Sequence, residues 1–200
     1  LGRMGRLSRA AGRALSGMAE PTGAEVAYTV TYLEMDARPA RARPPAPAIR
    51  GLSLLRAERP PTHFFRYLYD TVGRDYEWTD LHALSEEDLA AFVGHEAVTL
   101  HVAYLTGWPA GFIMLDRREA AICDIAYFGL AAEAIGRGLG DWLLGTGVHM
   151  AWDGGIEKLT VNTCTLDHAR ALPLYQKWGF VPVRREERRR RVSGGASGGS

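Results

Sequence analysis

The sequence predicts an α/β domain, a mixed sheet flanked by helices, and three observations carry that prediction. The 200 residues are 46% hydrophobic and 24% charged, enough to bury one substantial core. Strand-like runs come before helical ones, and a strand, helix, strand, helix, strand alternation follows. A glycine-rich turn joins an apolar strand to an amphipathic helix in the second half of the chain.

Taken in order, Val26 to Met35 is dense in β-branched and aromatic residues and reads as a first strand. Pro39 to Pro47 interrupts regular structure. His63 to Val72 places Phe64, Phe65, Leu68 and Val72 at helical spacing, with Thr62 as the expected N-cap. Ser85-Glu86-Glu87-Asp88 is a capping-box start for a short helix through Phe92. Val98 to Leu105, Gly111 to Leu115 and Ala121 to Leu130 read as successive strands, the first two joined through the turn residues 106–111. Gly136 to Gly140 opens a helix through Trp152, Leu159 to Thr165 is a strand, His168 to Trp178 a helix, and Gly179-Phe180 starts a last strand through Val183. The expected division is a non-native or disordered extension over 1–17, one domain over 18–185, and a disordered Arg/Gly/Ser tail over 186–200.

The formal net charge of +1 conceals its distribution. Four arginines lie in 1–17, and six arginines with two glutamates in 184–200, which leaves 14 basic and 21 acidic residues in the body, a net −7. Such a body repels a phosphate backbone and favours a cationic partner, so nucleic-acid binding by the folded part is disfavoured. The longest uncharged run, Ala97 to Leu115, contains Gly107, Pro109 and Gly111 and reads as two strands, which argues against a membrane span. A soluble, cytoplasmic protein is expected. The two cysteines, Cys123 and Cys164, have no Cys-x-x-Cys or clustered His companions, so neither a zinc site nor a disulfide framework is expected.

Chemistry concentrates in 123–140. Alternating glycines in Ile135-Gly136-Arg137-Gly138-Leu139-Gly140 let the backbone approach a ligand, and the N–H groups at the following helix start form an anion cradle suited to a pyrophosphate. The spacing is neither Gly-x-Gly-x-x-Gly nor a Walker loop, because position 141 is Asp and no Gly-Lys-Ser/Thr follows.

Gly138-x-Gly140 is followed by Ala171-x-x-Leu174-Tyr175-x-x-x-Gly179-Phe180. With both motifs the chain resembles the GNAT superfamily of acetyl-CoA-dependent acetyltransferases over roughly His63 to Val183. The resemblance implies a sheet splayed between the strands Ala121 to Leu130 and Leu159 to Thr165, with the cofactor's pantetheine arm in the gap. It implies cofactor contacts along Phe128, Gly129 and Leu130, at the cradle residues Ile135, Gly136, Arg137, Gly138, Leu139, Gly140 and Asp141, and at His168 and Tyr175. The chain departs from the family at Ile135, where Gln or Arg is usual, and at His168, where Asn is frequent. Arg137 could supply the missing phosphate charge, and Asp167 could simply cap the helix that follows.

The resemblance also implies roles in the reaction. Asp124 stands eleven residues before Ile135, the place of the general base in the histone-modifying branch; a solvated strand-end acid is the alternative reading. Tyr175 matches the family's general acid, although an unperturbed phenol of pKa about 10 gives its proton to a thiolate of about 8.5 only uphill, so thiolate stabilisation is easier to defend. A backbone N–H near Phe128 would hold the oxyanion. His63, Tyr67, Trp78 and Tyr127, with Tyr69 and Tyr76, are candidate acceptor contacts, and aromatic walls suit a cationic amine. The expectation is N-acetyl transfer from acetyl-CoA, without a metal, to a primary amine, with a small molecule the expected acceptor. Alternatives are a silent acyl-CoA-binding module and a protein lysine or N-terminal acetyltransferase. Oligomeric state, including a homo-oligomer, stays open.

Overall fold

A computed structural model describes residues 25–76 and 78–191. The elements are β1 (Glu25–Met35), β2 (Leu52–Ala57), α1 (Thr62–Gly73), α2 (Glu86–Val93), β3 (Val98–Leu105), β4 (Trp108–Glu119), β5 (Ile122–Leu130), α3 (Leu139–Asp153), β6 (Lys158–Cys164), α4 (Ala171–Lys177) and β7 (Val181–Arg191). Short 3₁₀ turns occupy Arg74–Tyr76, Asp80–Ala83 and Ala132–Ala134. The strands form one seven-stranded sheet in the order β2-β3-β4-β5-β6-β1-β7. Its neighbours pair antiparallel except β5 and β6, which are parallel.

Helices cover both faces of the sheet, as its alternating residues require. On one face Phe65, Leu68, Leu89 and Phe92 of α1 and α2 pack on Val102, Phe112, Met114 and Tyr127. On the other, Leu139, Leu143 and Val148 of α3, with Tyr175 and Trp178, pack on Ile113, Ile125, Phe128 and Val161. Each such side chain, fully buried, contributes about 1.5–3 kcal/mol.

The mixed α/β architecture is the expected one, and several local expectations change. Thr62 is the first residue of α1 and its hydroxyl donates to Glu86, while Pro61 holds the N-cap position. Ser85 does cap α2, accepting from the Asp88 N–H at 3.0 Å. The β3–β4 turn narrows to Thr106-Gly107, both at positive φ, so Pro109 already lies in β4, where the register shifts beside Tyr104. Strand β2 is an additional element. Residues 186–191, expected to belong to a disordered tail, are part of β7, whose Arg184 guanidinium lies 3.8 Å from the Tyr32 ring centroid and whose Arg188 donates to the Tyr32 hydroxyl at 2.9 Å. The extension expected over 1–17 and the Gly/Ser run 193–200 lie outside the described residues. Among the described residues no helix is long and apolar enough to cross a membrane.

Two features position the site. Strands β5 and β6 pair at Ile122/Lys158, Cys123/Leu159 and Asp124/Thr160, and their pairing stops there while both strands run on. An extra residue in β5, Ala126, shifts its register against β4 between Leu115 and Met114, and such a bulge bends a strand away from its neighbour. The second feature is the β1–β2 connection, which straps α3. Arg38 and Arg43 both donate to Asp153 at the C-terminal end of that helix, at 2.7 and 2.6 Å.

Candidate active site

Beyond Leu130 the chain passes through the 3₁₀ turn and reaches Gly136 at φ +83° and Gly138 at φ +77°. Gly138 is the N-cap of α3, and with no side chain to cap the helix the first-turn N–H groups are presented outward. A Cβ at Gly136 or Gly138 would meet no heavy atom within 4 Å. These glycines therefore serve the left-handed backbone and an open approach, not packing. An anion at this position would gain the N–H groups and the positive end of the helix dipole.

The cradle opens onto a cleft of about 410 Å³ along the half of β5 that no longer pairs with β6. Val72, Tyr76 and Trp78 form one wall, and His168, Arg170 and Leu174 the other. Of the residues named as candidate cofactor contacts, Phe128, Gly129, Leu130, Ile135, Gly136, Gly138, Gly140, Asp141 and His168 line it. Three expected contacts do not line it: Arg137 is exposed to solvent, Leu139 is buried in the core, where it anchors the first turn of α3, and Tyr175 is buried behind the wall. Arg170 brings a cation into the cleft that sequence reasoning missed.

Asp124 marks the vertex of the splay. Its Oδ1 accepts from Thr160 Oγ1 at 2.6 Å across the last β5–β6 rung. On its other side stands Asp116 of β4, 5% exposed, held by Arg118 Nε and a terminal guanidinium nitrogen at 3.0 and 2.8 Å. These bonds to Asp116, with the charges of Asp116 and Asp124, raise the pKa of the Arg118 guanidinium further and fix its charge.

Tyr175 is 1% exposed, with its ring 6.2 Å from that of Phe128. It is packed inside the cleft wall rather than on its surface. Its hydroxyl has no hydrogen-bond partner among the described residues. Burial holds this phenol well above its usual range, and the Asp167 and Asp124 carboxylates push the same way. Asp167 does not cap α4. It accepts from Thr163 Oγ1 at 2.8 Å and the Cys164 N–H at 2.7 Å, tying the turn back to β6. His168 Nδ1 accepts from the Arg170 N–H at 3.1 Å, so the neutral ring carries its proton on Nε2 and can donate.

The expected acceptor residues scatter. His63 and Tyr67 occupy the solvent face of α1, Tyr67 being 53% exposed, and neither lines the cleft. Tyr127 and Tyr69 are core residues whose hydroxyls donate to the two oxygens of Asp80 at 2.7 and 2.5 Å. Helical spacing could not say which face of α1 would be buried. Trp78 and Tyr76 do reach the cleft, and the Tyr76 ring lies 6.2 Å from His168. Among the described residues no group of three or more His, Cys, Asp or Glu side chains is placed to hold a metal.

The family model described as "Acetyltransferase (GNAT) family" matches residues 65–180. The chain belongs to the GNAT acetyltransferase family. A GCN5-related N-acetyltransferase from Kribbella flavida shares 16% identity at a TM-score of 0.56, covering 84% of this chain and 59% of its own. A second from Sphaerobacter thermophilus gives 16% and 0.56, with 94% and 57% covered. A Drosophila protein gives 17% and 0.59, with 86% and 53% covered. At these identities the likeness is one of fold, and the chain spans 53–61% of the length of the first solved structures it matches. No curated protein matches the sequence.

The cleft fits the family's cosubstrate, acetyl-CoA, on its own terms. Open glycine N–H groups would face the phosphates, Arg170 and His168 offer donors, and an amide-bearing arm would lie along the edge of β5 that has parted from β6.

Proposed function

We propose that this protein transfers an acetyl group from acetyl-CoA to a primary amine of a small molecule by direct attack, with no acyl-enzyme intermediate. The observation that carries this reading is the splay itself: a cleft lined by the anion cradle and by Phe128, Gly129 and Leu130 lies on the stretch of β5 that has parted from β6, and a carboxylate, Asp124, is held at the last β5–β6 rung of the same strand.

Asp124, through a bound water, accepts the proton that the attacking amine must lose. A strand N–H near Phe128 donates to the oxyanion. Tyr175 hydrogen-bonds the departing thiolate and keeps its own proton, because a buried phenolate between two carboxylates is the costlier state. The cysteines support direct attack. Burial pushes the Cys123 thiol up to about 12 and raises Cys164, so neither supplies a thiolate at neutral pH. An aminoglycoside acetyltransferase from a soil metagenome, solved with sisomicin, has the same fold at a TM-score of 0.53 and is consistent with a small-molecule acceptor.

The test is an amine panel incubated with the protein and acetyl-CoA, with release of free thiol as the readout. Amine-dependent release is the expected result. Tight acetyl-CoA binding with no release from any amine, peptide or protein acceptor would instead identify a binding module, the reading favoured by Ile135 at the mouth of the cleft where the family usually has Gln or Arg.

A further inference from the structure

An acid lines the cleft beside the cradle. Asp141, in the first turn of α3, complements the helix dipole but opposes any phosphate bound at the same helix start. Its retention has a structural reason. Asp141 Oδ1 accepts from the indole N–H of Trp178 at 2.9 Å, and Trp178 is 1% exposed. Its ring lies so close to α3 that a Cβ on Gly145 would be 2.1 Å from it. Without that acceptor a buried indole donor would lose its partner.

The other oxygen of Asp141 is met by two cations that do not line the cleft: Lys177 Nζ at 3.0 Å and the Arg41 guanidinium at 3.6 Å. Arg41 comes from the β1–β2 strap and is held from three sides. Its guanidinium lies 4.8 Å from the Trp178 ring centroid, and its carbonyl is 3.0 Å from His149 Nε2. His149 Nδ1 faces the Arg38 guanidinium at 3.4 Å; a guanidinium can only donate, so Nε2 carries the proton and donates to the Arg41 carbonyl. Arg38 in turn is anchored on Asp153.

We propose that Arg41 and Lys177 set the affinity of the cleft for the cofactor's phosphates by neutralising Asp141, without touching the cofactor themselves. The strap is thereby a positioning element of the binding site, reaching it from a segment more than eighty residues away in the chain. This rests on the acetyl-CoA reading above.

The test is calorimetry with coenzyme A and with pantetheine, which lacks the phosphates, at low ionic strength and at about 0.5 M salt. Asp141→Asn keeps an acceptor for Trp178 and removes the charge, so coenzyme A should bind about 3- to 10-fold tighter. Arg41→Gln and Lys177→Gln should each weaken it by a similar factor, with both effects shrinking in salt. In the Asp141→Asn background the same two substitutions should change affinity less than about twofold. Pantetheine should be indifferent throughout. Equal losses from Arg41→Gln in both backgrounds would make Arg41 a direct ligand or a structural prop and overturn the proposal, as would weaker coenzyme A binding by Asp141→Asn. A parent protein that binds no coenzyme A would overturn the cofactor reading as well. Binding by the parent with Arg41→Gln and Lys177→Gln both silent would overturn the strap's role alone.

Discussion

Thr160 and Asp124 share a 2.6 Å hydrogen bond at the rung where β5 and β6 part. The bond turns a strand-end acid, which could have been solvated and idle, into a carboxylate held in place where the two strands part, beyond the residues that line the cleft.

Asp124→Asn keeps an acceptor for Thr160, so it isolates the charge. An alkyl amine of pKa near 10.4 is almost wholly protonated at pH 7, so turnover should fall about 10²- to 10⁴-fold there. The deficit should close as the buffer itself deprotonates the amine. Rate profiles from pH 6.5 to about 10 would show this convergence. A constant offset would assign Asp124 a positioning role, and coincident profiles would assign it none.

Tyr175→Phe should separate stability from activity. The hydroxyl is buried without a partner among the described residues, so removing it should leave the fold as stable or about 1 kcal/mol more stable. Turnover should drop about 10- to 1000-fold with acetyl-CoA affinity nearly unchanged. Thermal melts, calorimetry and turnover on the same variant decide the matter. A destabilised variant with normal turnover would make Tyr175 a packing residue.

Gly138→Ala meets open space yet must adopt φ +77°, so it should destabilise the fold by about 1–2 kcal/mol. Gly138→Val adds bulk on the open side of the cradle and should abolish coenzyme A binding while a folded protein remains. Gly140→Ala, whose Cβ would make ordinary contacts with Leu130 and Leu174, should bind nearly as the parent does. Unchanged affinity in Gly138→Val would remove the phosphates from this turn.

His101 gives a pH signature. Burial, with the charges of Arg56 and Arg117, lowers its pKa from the usual 6.5 to about 4. A lowered folded-state value means that the unfolded chain binds the proton first. The stability His101 contributes is therefore complete above about 6.5 and is lost as pH falls toward 4. Because the ring is partly exposed, about 1–2 kcal/mol is the expected loss. Denaturant melts at pH 7 and pH 4.5 should show a smaller difference in His101→Phe, and an NMR titration of the ring near 6.5 would refute the assignment.

The segment from β5 through the cradle into α3 was legible in the sequence because its determinants are local. An apolar run, two glycines that must adopt positive φ and an amphipathic helix follow one another without a break. Strand β2 was not, because on this edge strand the outward position after Leu54 is taken by Leu55, 55% exposed, so the residue types do not follow the short in-and-out pattern of the backbone. The arginine run of β7 read as a tail because its stabilising partners, Tyr28 and Tyr32, lie at the other end of the chain. The same limit hid Arg41: no local pattern relates a proline-rich loop to the first turn of a helix a hundred residues on. His63 and Tyr67 were misplaced for a different reason, since their spacing defines a face of α1 without saying which face the sheet will cover.

Strand β1 sits between β6 and β7, so every strand it pairs with lies at Lys158 or later. During synthesis this first strand, with Val26, Val30 and Leu33 along it, must wait unpaired while the intervening chain is made. At ordinary elongation rates that is on the order of 10 s. The β2–β5 part of the sheet can close in the meantime from neighbours made in sequence, but β7 can join only through β1. The nascent chain thus carries a sticky, unsatisfied edge until β6 and β7 have been made, and the window for misassociation is set by connectivity rather than by final stability.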